Sequence, residues 1–327
     1  MFGTSGVRGP VGETITPELA VSIAKAVAAD ADRVVIGRDA RDSGRALCHA
    51  LTAGFVGCGV DVIDIGRTAT PTLARAIAHE DGDAGVMVTA SHNPAPDNGI
   101  KLWTPSGQAF DTARQDRIER RIETDDLPGM DWTEQGSSAE WAGATAAHCE
   151  ALVRAGRARL GDEFDGLDEL HVVVDIGNGT GGVTADALHA LGATVETLNA
   201  QPDGRFPARP SEPTAANCEA LRDCVVARDA DLGIAHDGDA DRTMAVTESG
   251  EFVTGDTLLA IFARAHAASG DTVAAPVNTS LAVDDTLAEL GASVVRTRVG
   301  DVYVAERAAE ESVVFGGEPS GAWIFPT

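Results

Sequence analysis

The chain has 327 residues, of which 43% are hydrophobic, so it exceeds one typical domain and can bury a substantial core. Asp and Glu number 51 against 25 Lys and Arg, and the net charge of −26 repels nucleic acid and anionic membranes. No apolar run approaches the roughly 20 residues of a membrane helix, and the first residues lack a signal-peptide pattern. We therefore predict a soluble, cytoplasmic protein with neither nucleic acid nor a membrane as a partner.

The numbers and positions of cysteine and lysine residues give two further indications about the protein. The five cysteines are scattered without a CxxC pair, which argues against a disulfide framework and against a zinc site. Only two of the basic residues are lysines, Lys25 and Lys101. An acid-rich, lysine-poor composition resembles that of halophilic proteins, in which molar salt screens the self-repulsion. In such a chain a retained lysine is itself informative.

The first predicted element is a helix that begins at Pro17, with Thr16 as its cap and an apolar stripe from residue 19 to residue 27. Short Val- and Ile-rich runs follow at 34–36, 60–65 and 86–88. Their apolar residues are continuous rather than alternating, which is typical of strands buried between two layers of helices.

The same pattern then recurs twice along the chain. Gly59, Gly192 and Gly291 each follow a helix-like segment and open a strand. A second apolar strand comes after each of them and runs into a polar loop; these loops are VTASHNP (88–94), HDGDADR (236–242) and GGEPSG (316–321). The repetition predicts an α/β protein of three similar αβα sandwich domains with mixed sheets. Because ligands of such sheets bind at the carboxyl ends of strands, the loops should face one shared cleft.

The recurrence also predicts where the domains begin and end. We place the boundaries near residues 148 and 250, which gives domain I at 1–148, domain II at 149–250 and domain III at 251–327. Segment 131–143 is predicted to be an irregular surface near the first boundary, because it is polar and rich in turn-forming residues.

Acidic residues alternate in the second loop, where Asp237, Asp239 and Asp241 follow a predicted strand. Their carboxylates can converge on one hard cation and leave coordination positions open for a phosphate. An EF-hand is one alternative, since Glu248 falls at its twelfth position, but Arg242 occupies the sixth, where the calcium loop needs glycine. A solvated acidic turn is another. The pattern favours a catalytic Mg²⁺ site.

The first loop places Ser91 just after a buried strand, between Thr89 and His92. A serine in this position is commonly a turn former or a helix cap, and it lies outside the GxSxG motif of α/β-hydrolases. Lys101 follows within reach of the same site. Arginine stays charged whereas a desolvated lysine can exchange a proton, so retention of Lys101 favours a chemical role over chance.

Two further motifs are weaker on their own. Glu318 and Ser320 suit neighbouring sugar hydroxyls, because a carboxylate accepts hydrogen bonds and a hydroxyl both donates and accepts them. Taken by itself, however, this motif favours a plain β-turn. A GxGxxG at 177–182 follows the strand 172–176, with Glu196 at the next strand. This fits a dinucleotide-binding loop, but a tight strand-to-helix turn with close packing is the favoured interpretation.

Five motifs occur together and in order: GTSGVRG (3–9), TASHNP (89–94), NGIK (98–101), DGDADR (237–242) and GEPSG (317–321). With these motifs the chain resembles the α-D-phosphohexomutases, which include phosphoglucomutases, phosphomannomutases and phosphoglucosamine mutases. The resemblance spans essentially the whole chain. It implies three similar αβα domains followed by a fourth that helps to grip the substrate phosphate. Because the chain stops a few residues after GEPSG, we expect domain III to be incomplete and the fourth domain to be absent.

The resemblance implies the chemistry at the first two loops. Ser91 corresponds to the serine that carries the transferable phosphate. Asp237, Asp239 and Asp241 correspond to the Mg²⁺ ligands, and the phosphoserine completes that site. Lys101 corresponds to a proposed general acid and base.

The resemblance also implies how the substrate is held. Arg8 and Arg242 correspond to basic residues that offset charge on the phosphoryl group, and His92 belongs to the serine loop. Glu318 and Ser320 correspond to the pair that holds sugar hydroxyls. The implied reaction moves phosphate from the serine to a 1- or 6-phosphosugar, and the resulting bisphosphate turns round in the cleft and returns its other phosphate.

The identity of the sugar stays open at this level. The segment 297–304 (TRVGDVYV) and GEPSG favour a phosphoglucosamine mutase, while glucose and mannose phosphates are alternatives. A nicotinamide-dependent dehydrogenase, based on 177–182, and a non-enzymatic calcium module, based on 237–248, are the rival classes. Neither explains Ser91, Lys101 and Glu318 together.

Overall fold

The computed structural model describes residue 3, residues 6–161 and residues 166–326. Within these residues the strands form three separate mixed sheets, and helices cover both faces of each sheet. The predicted architecture of three αβα sandwiches is therefore confirmed.

The first sheet has six strands in the order β1-β5-β4-β2-β3-β6, with β1 and β5 antiparallel to their neighbours. Its elements are β1 (Val7–Pro10), α1 (Pro17–Ala28), β2 (Arg33–Arg38), α2 (Gly44–Val56), β3 (Asp61–Arg67), α3 (Thr70–His79), β4 (Ala84–Val88), β5 (Asp97–Trp103), α4 (Thr112–Glu123), β6 (Ser138–Glu140) and α5 (Ala144–Leu160).

The central strands of this sheet are buried on both faces, as their sequence predicts. Val34 and Ile36 contact the core beneath α1, α2 and α4, while Val35 between them contacts the core beneath α3 and α5. The start of α1 is also as predicted, because the Thr16 hydroxyl accepts a hydrogen bond from the Leu19 amide at 3.2 Å. Alternation of side chains across a strand thus fills two cores from one apolar run.

The second sheet has five strands in the order β11-β10-β9-β7-β8, of which β9, β7 and β8 are parallel. Its elements are β7 (His171–Asp175), α6 (Gly182–Ala190), β8 (Thr194–Leu198), α7 (Glu219–Arg228), β9 (Leu232–His236), β10 (Thr243–Thr247) and β11 (Phe252–Val253). Helix α7 covers one face and α6 covers the other.

The third sheet has four strands in the order β13-β12-β14-β15, with only β15 antiparallel. Its elements are α8 (Gly255–His266), β12 (Thr272–Pro276), α9 (Leu281–Ala288), β13 (Ser293–Thr297), α10 (Asp301–Ala308), β14 (Val313–Gly317) and β15 (Trp323–Ile324). Helices α8 and α9 share a core on one face, and α10 covers the other.

One local expectation near the first boundary needs revision. Residue 148 itself lies inside α5, which packs against both α3 and α6. Segment 131–143 contains β6, which pairs with β3 from Val62 to Asp64 and is therefore not wholly irregular. Local sequence could not reveal β6, because its partner lies more than 70 residues earlier in the chain.

None of the helices in the described part of the chain combines the length and the apolar composition of a membrane-crossing segment.

We expect Phe55→Ala to lower the free energy of unfolding by about 3–5 kcal/mol, because this fully buried ring of α2 fills the larger core of the first sheet. Urea unfolding followed by circular dichroism measures the change. Val226→Ala on α7, where the side chain is 56% exposed, serves as the control and should change stability by less than about 0.5 kcal/mol. Equal effects of the two substitutions would contradict the assignment of this core.

Candidate active site

Ser91 lies three residues after the end of β4 in a tightly held turn. Its side chain is buried, and its φ of 51° places a non-glycine residue in the left-handed region. The Ser91 amide donates to the Thr89 hydroxyl at 2.9 Å, and that hydroxyl donates to the Asp39 carboxylate at 2.7 Å. These bonds fix the direction in which the serine hydroxyl points.

The serine hydroxyl meets the acidic loop of the second sheet. Ser91 Oγ donates to Asp237 Oδ2 and lies 3.3 Å from Asp241 Oδ1. Ser211 strengthens the same junction, since its hydroxyl donates to the Ser91 carbonyl at 3.0 Å and accepts from the Gly238 amide at 2.9 Å. The loops at 88–94 and 236–242 therefore converge, although 146 residues separate the serine from its partner carboxylate.

Asp237, Asp239 and Asp241 form a compact acidic cluster, with ligand oxygens that all lie within 4.8 Å of one another. Burial raises the pKa of Asp237 well above its usual value, and the neighbouring charges of Asp241 and Asp239 raise it further. Asp239 Oδ1 is buried and has no hydrogen-bond partner. A buried, unpartnered carboxylate oxygen beside two other carboxylates fits a bound divalent cation, which would also offset their repulsion.

The first sheet supplies hydrogen-bond donors to Asp239. Thr70, at the start of α3, donates from its hydroxyl to Asp239 Oδ2 at 2.6 Å and from its amide to the Asp239 carbonyl at 2.8 Å. Burial would raise the pKa of Asp239, but the Lys101 ammonium and the Thr70 hydroxyl outweigh burial and hold that pKa below its usual range. Asp239 therefore carries its charge at neutral pH.

Lys101 lies on β5, opposite Met87 of β4, and points into the acidic cluster. Its Nζ is 2.6 Å from Asp241 Oδ2 and 3.1 Å from Asp239 Oδ2, and the residue is only 3% exposed. Burial alone would lower the pKa of Lys101, but the Asp239 and Asp241 carboxylates outweigh it and raise the pKa. With these partners the Lys101 ammonium is protonated in the resting site.

Arg8, Arg242 and His92 lie around the serine and line one cavity. Arg8 is on β1 opposite Gly99, and Arg242 donates to Glu212 Oε1 at 3.0 Å. Burial, followed by the charges of Arg242 and Arg8, lowers the pKa of His92 to about 4. His92 is therefore neutral at physiological pH. Thr4 and Ser5 of the first motif lie outside the described residues.

Glu318 and Ser320 lie together at the end of β14. The Ser320 hydroxyl donates to Glu318 Oε2 at 3.1 Å, and the Gly300 amide donates to Glu318 Oε1 at 2.7 Å. Burial raises the pKa of Glu318. Their loop is attached to the second sheet at Thr243, whose amide donates to the Gly321 carbonyl at 2.9 Å, directly after Arg242.

One cavity of about 1170 Å³ joins the three loops. Its walls include Arg8, Ser91 and His92 from the first loop region, Asp241 and Arg242 from the second, and Glu318 and Ser320 from the third. The predicted shared cleft is therefore confirmed, and its volume is sufficient for a phosphosugar.

The structure decides between the alternative interpretations of two motifs. Strand β9 precedes the acidic loop and β10 follows it, so it lacks the flanking helices of an EF-hand. In the GxGxxG segment, a Cβ on Gly179 would lie 2.6 Å from the Gly238 carbonyl oxygen. Glycine is needed there because the segment packs against the acidic loop, which favours the turn interpretation over a dinucleotide site.

Sequence reasoning missed several residues that support the site: Asp39, Arg41, Thr70, Thr89, Ser211 and Glu212. One signal was available, since DARD (39–42) directly follows β2 and therefore lies at the same edge of the sheet as the serine loop. Thr70 and Ser211 have no such signal, because only the docking of two sheets gives them their partners.

Family comparison agrees with this architecture. Family models described as phosphoglucomutase/phosphomannomutase alpha/beta/alpha domains match three parts of the chain: domain I at residues 1–128, domain II at 149–250 and domain III at 254–327. The chain belongs to the phosphoglucomutase/phosphomannomutase family.

Individual relatives agree with the family assignment. The chain is 48% identical to a "Probable phosphoglucosamine mutase" of Methanosarcina acetivorans, with all of this chain and 73% of the relative aligned. A protein of the same description from Methanococcoides burtonii is 45% identical, over 100% and 72% of the two chains. The crystal structure of a phosphoglucomutase/phosphomannomutase family protein from Burkholderia thailandensis superposes with a TM-score of 0.84, at 28% identity, over 99% of this chain and 73% of that one. The names of these proteins carry no information about adaptation to salt, so the inference of a halophilic protein from composition stays a prediction.

We expect Asp239→Asn to weaken divalent-cation binding by at least about tenfold, because it removes one anionic oxygen from the acidic cluster. Calorimetric titration with Mg²⁺ and Ca²⁺ as probes measures the affinity. The control is Glu248→Gln, an exposed residue that the EF-hand interpretation would make a ligand and the structure does not. If neither substitution weakens binding, the cluster is only an acidic turn; if Glu248→Gln alone weakens it, the calcium-loop interpretation is correct.

Proposed function

We propose that this chain is a phosphohexomutase that interconverts hexose 1-phosphates and hexose 6-phosphates through a phosphorylated Ser91 and a sugar bisphosphate. The observation that carries the proposal is the position of Ser91 Oγ, which contacts Asp237 and Asp241 at the edge of the cavity that also contains Glu318 and Ser320. The names of the relatives favour a hexosamine phosphate as substrate, with glucose and mannose phosphates as alternatives.

The acidic cluster is the proposed Mg²⁺ site, with Asp237, Asp239, Asp241 and a phosphate on Ser91 as ligands. A bound Mg²⁺ would supply positive charge to the phosphoryl group while that group is transferred. The unpartnered Asp239 Oδ1 supports this assignment, because a buried carboxylate oxygen without a donor is otherwise unfavourable.

The protein's own side chains would position the reactants. Glu318 and Ser320 hold sugar hydroxyls, so the sugar can bind in either direction with its free hydroxyl toward the serine. Arg8 and Arg242 line the cavity near Ser91 and offset negative charge on the transferring phosphoryl group. Phosphoryl transfer depends mainly on positioning and electrostatics, and these residues would contribute to both.

Lys101 is the proposed proton carrier. Its ammonium is held by the same carboxylates that are the proposed metal ligands, so it starts the reaction protonated. It can donate a proton to the oxygen that loses its phosphate and recover one from the hydroxyl that gains it. His92 is neutral and can share hydrogen bonds within the serine loop without adding charge.

We expect Ser91→Ala to abolish phosphorylation while the fold is retained. Incubation with a hexose 1,6-bisphosphate and Mg²⁺, followed by intact-mass measurement, should show one added phosphate on the unmodified protein and none on the variant. Ser22→Ala is the matched control, because its hydroxyl donates to the Glu18 carbonyl on α1 and does not line the cavity. A phosphate that persists on Ser91→Ala would assign the nucleophile to another residue.

We expect Lys101→Arg to reduce turnover by about 10²–10⁴-fold, because arginine keeps the positive charge but cannot exchange a proton. Steady-state assays with glucosamine, glucose and mannose phosphates give turnover and KM for each substrate. Lys25→Arg serves as the control, since Lys25 is half-buried in the last turn of α1, remote from the cavity-lining residues. Unchanged turnover of Lys101→Arg would reduce Lys101 to an electrostatic partner of Asp239 and Asp241.

A further inference from the structure

Arg41 is the largest fully buried side chain in the described part of the chain, and it is only 1% exposed. It follows β2 in the segment 39–42 and does not line the cavity. A buried guanidinium needs a hydrogen-bond acceptor for each of its five N–H groups. The positions of these acceptors indicate which part of the chain Arg41 holds in place.

The guanidinium has an acceptor for each of its N–H groups. Arg41 Nε donates to Asp39 Oδ2 at 3.0 Å, and the two terminal nitrogens donate to four main-chain carbonyls: those of Ser91 (2.9 Å), Asn93 (2.6 Å) and Pro94 (2.7 Å) in the serine loop, and that of Asp97 (2.8 Å) at the start of β5. The segment between β4 and β5 forms no helix or strand, so its carbonyls depend on donors outside a sheet ladder. Besides Arg41, the Ser211 hydroxyl donates to the Ser91 carbonyl and the Asp97 amide donates to the Pro94 carbonyl.

The hydrogen bonds of Asp39, the carboxylate partner of Arg41, also reach the Ser91 amide. The Asp39 carboxylate that binds Arg41 also accepts from the Thr89 hydroxyl, and that hydroxyl accepts from the Ser91 amide. Both main-chain polar groups of Ser91 are thereby connected to one buried ion pair. Ser91 has a φ of 51°, which a non-glycine residue keeps only when its surroundings enforce it.

The second domain closes over this ion pair. The Phe206 ring stacks on the Arg41 guanidinium at 5.0 Å. A Cβ on Gly204 would lie 2.4 Å from the Arg41 Cα, so the segment that carries Phe206 lies directly against Arg41. Ser211, from the same segment between β8 and α7, adds its bond to the Ser91 carbonyl. Arg41 therefore lies where the serine loop meets the domain that carries the acidic cluster.

We propose that Arg41, through its ion pair with Asp39, is a positioning residue for phosphoryl transfer by Ser91. It holds the loop 91–97 in the one conformation that directs the serine hydroxyl at Asp237 and Asp241, and it has no contact with substrate. The proposal rests on the function proposed above. Lysine cannot replace it, because a single ammonium has three donors and no planar fork to join four carbonyls and a carboxylate.

The test is the rate at which Ser91 accepts phosphate from a hexose 1,6-bisphosphate with Mg²⁺, followed by intact mass. In Arg41→Lys the rate should fall by about 100-fold, since a misplacement of about 1 Å at a reacting group has an effect of that size. The bisphosphate concentration at half-maximal rate should stay the same, because Glu318 and Ser320 are untouched. Arg121→Lys is the control: this arginine binds Asp30 and the Ala26 carbonyl on the outside of the same domain and should behave like the unmodified protein.

The measured rates determine whether Arg41 positions Ser91. Transfer by Arg41→Lys at the unmodified rate overturns the proposal, as does a loss of rate no larger than the loss of folded protein measured by circular dichroism. If Arg41→Lys does not fold, Thr89→Val decides, because it keeps the shape of the side chain and removes only the link between Asp39 and the Ser91 amide. Thr89→Val should slow transfer about tenfold with an unchanged half-saturation, and an unmodified rate overturns the proposal. Failure of the unmodified protein to accept phosphate would instead contradict the proposed function, and this inference with it.

Discussion

The structure depends on one electrostatic constraint: three carboxylates held within 4.8 Å of one another, two of them buried. At that separation each pair of charges repels by roughly 3.5 kcal/mol with an effective dielectric constant of about 20. Within the acidic loop itself, Arg242 supplies a positive charge that acts against this repulsion. The first domain provides the Lys101 ammonium and the Thr70 hydroxyl. The charge cluster therefore holds the two domains together where the chemistry is proposed to occur.

A second constraint is the need of main-chain carbonyls for donors where strands end. In each of the three sheets an arginine provides such donors. The main chain turns irregularly where parallel strands end, and its carbonyls need donors away from water. In each sheet one arginine binds a carboxylate and carbonyls at or just after the end of a strand: Arg41 at 91–97, Arg209 at the His236 carbonyl with Asp175, and Arg296 at the Pro276 carbonyl with Asp284. A planar fork of five donors suits this task, which fits the preference of the chain for arginine over lysine.

The sequence by itself determined the local elements and the chemical loops. The apolar runs of β2, β3 and β4, the Thr16 cap and the polar residues after three strands all follow from short-range pattern, which side-chain periodicity and turn chemistry control. Because parallel strands bring their carboxyl ends to one edge, the shared cleft also followed from the order of the motifs. Strand β6 did not follow from the sequence, since its three exposed residues carry no apolar pattern. They form a strand because they pair with β3.

The tertiary structure decided the charge and the orientation of the site residues. Lys101 and His92 have pKa values that depend on burial and on charges from other loops and sheets, so one lysine stays protonated and one histidine stays neutral. The partners of Ser91, Thr70 and Arg41 are distant in sequence or belong to a different sheet, and no local pattern specifies them. Desolvation and long-range hydrogen bonding act only after the sheets have docked. The sequence therefore indicated which residues are reactive, whereas the tertiary structure determined their charge and orientation.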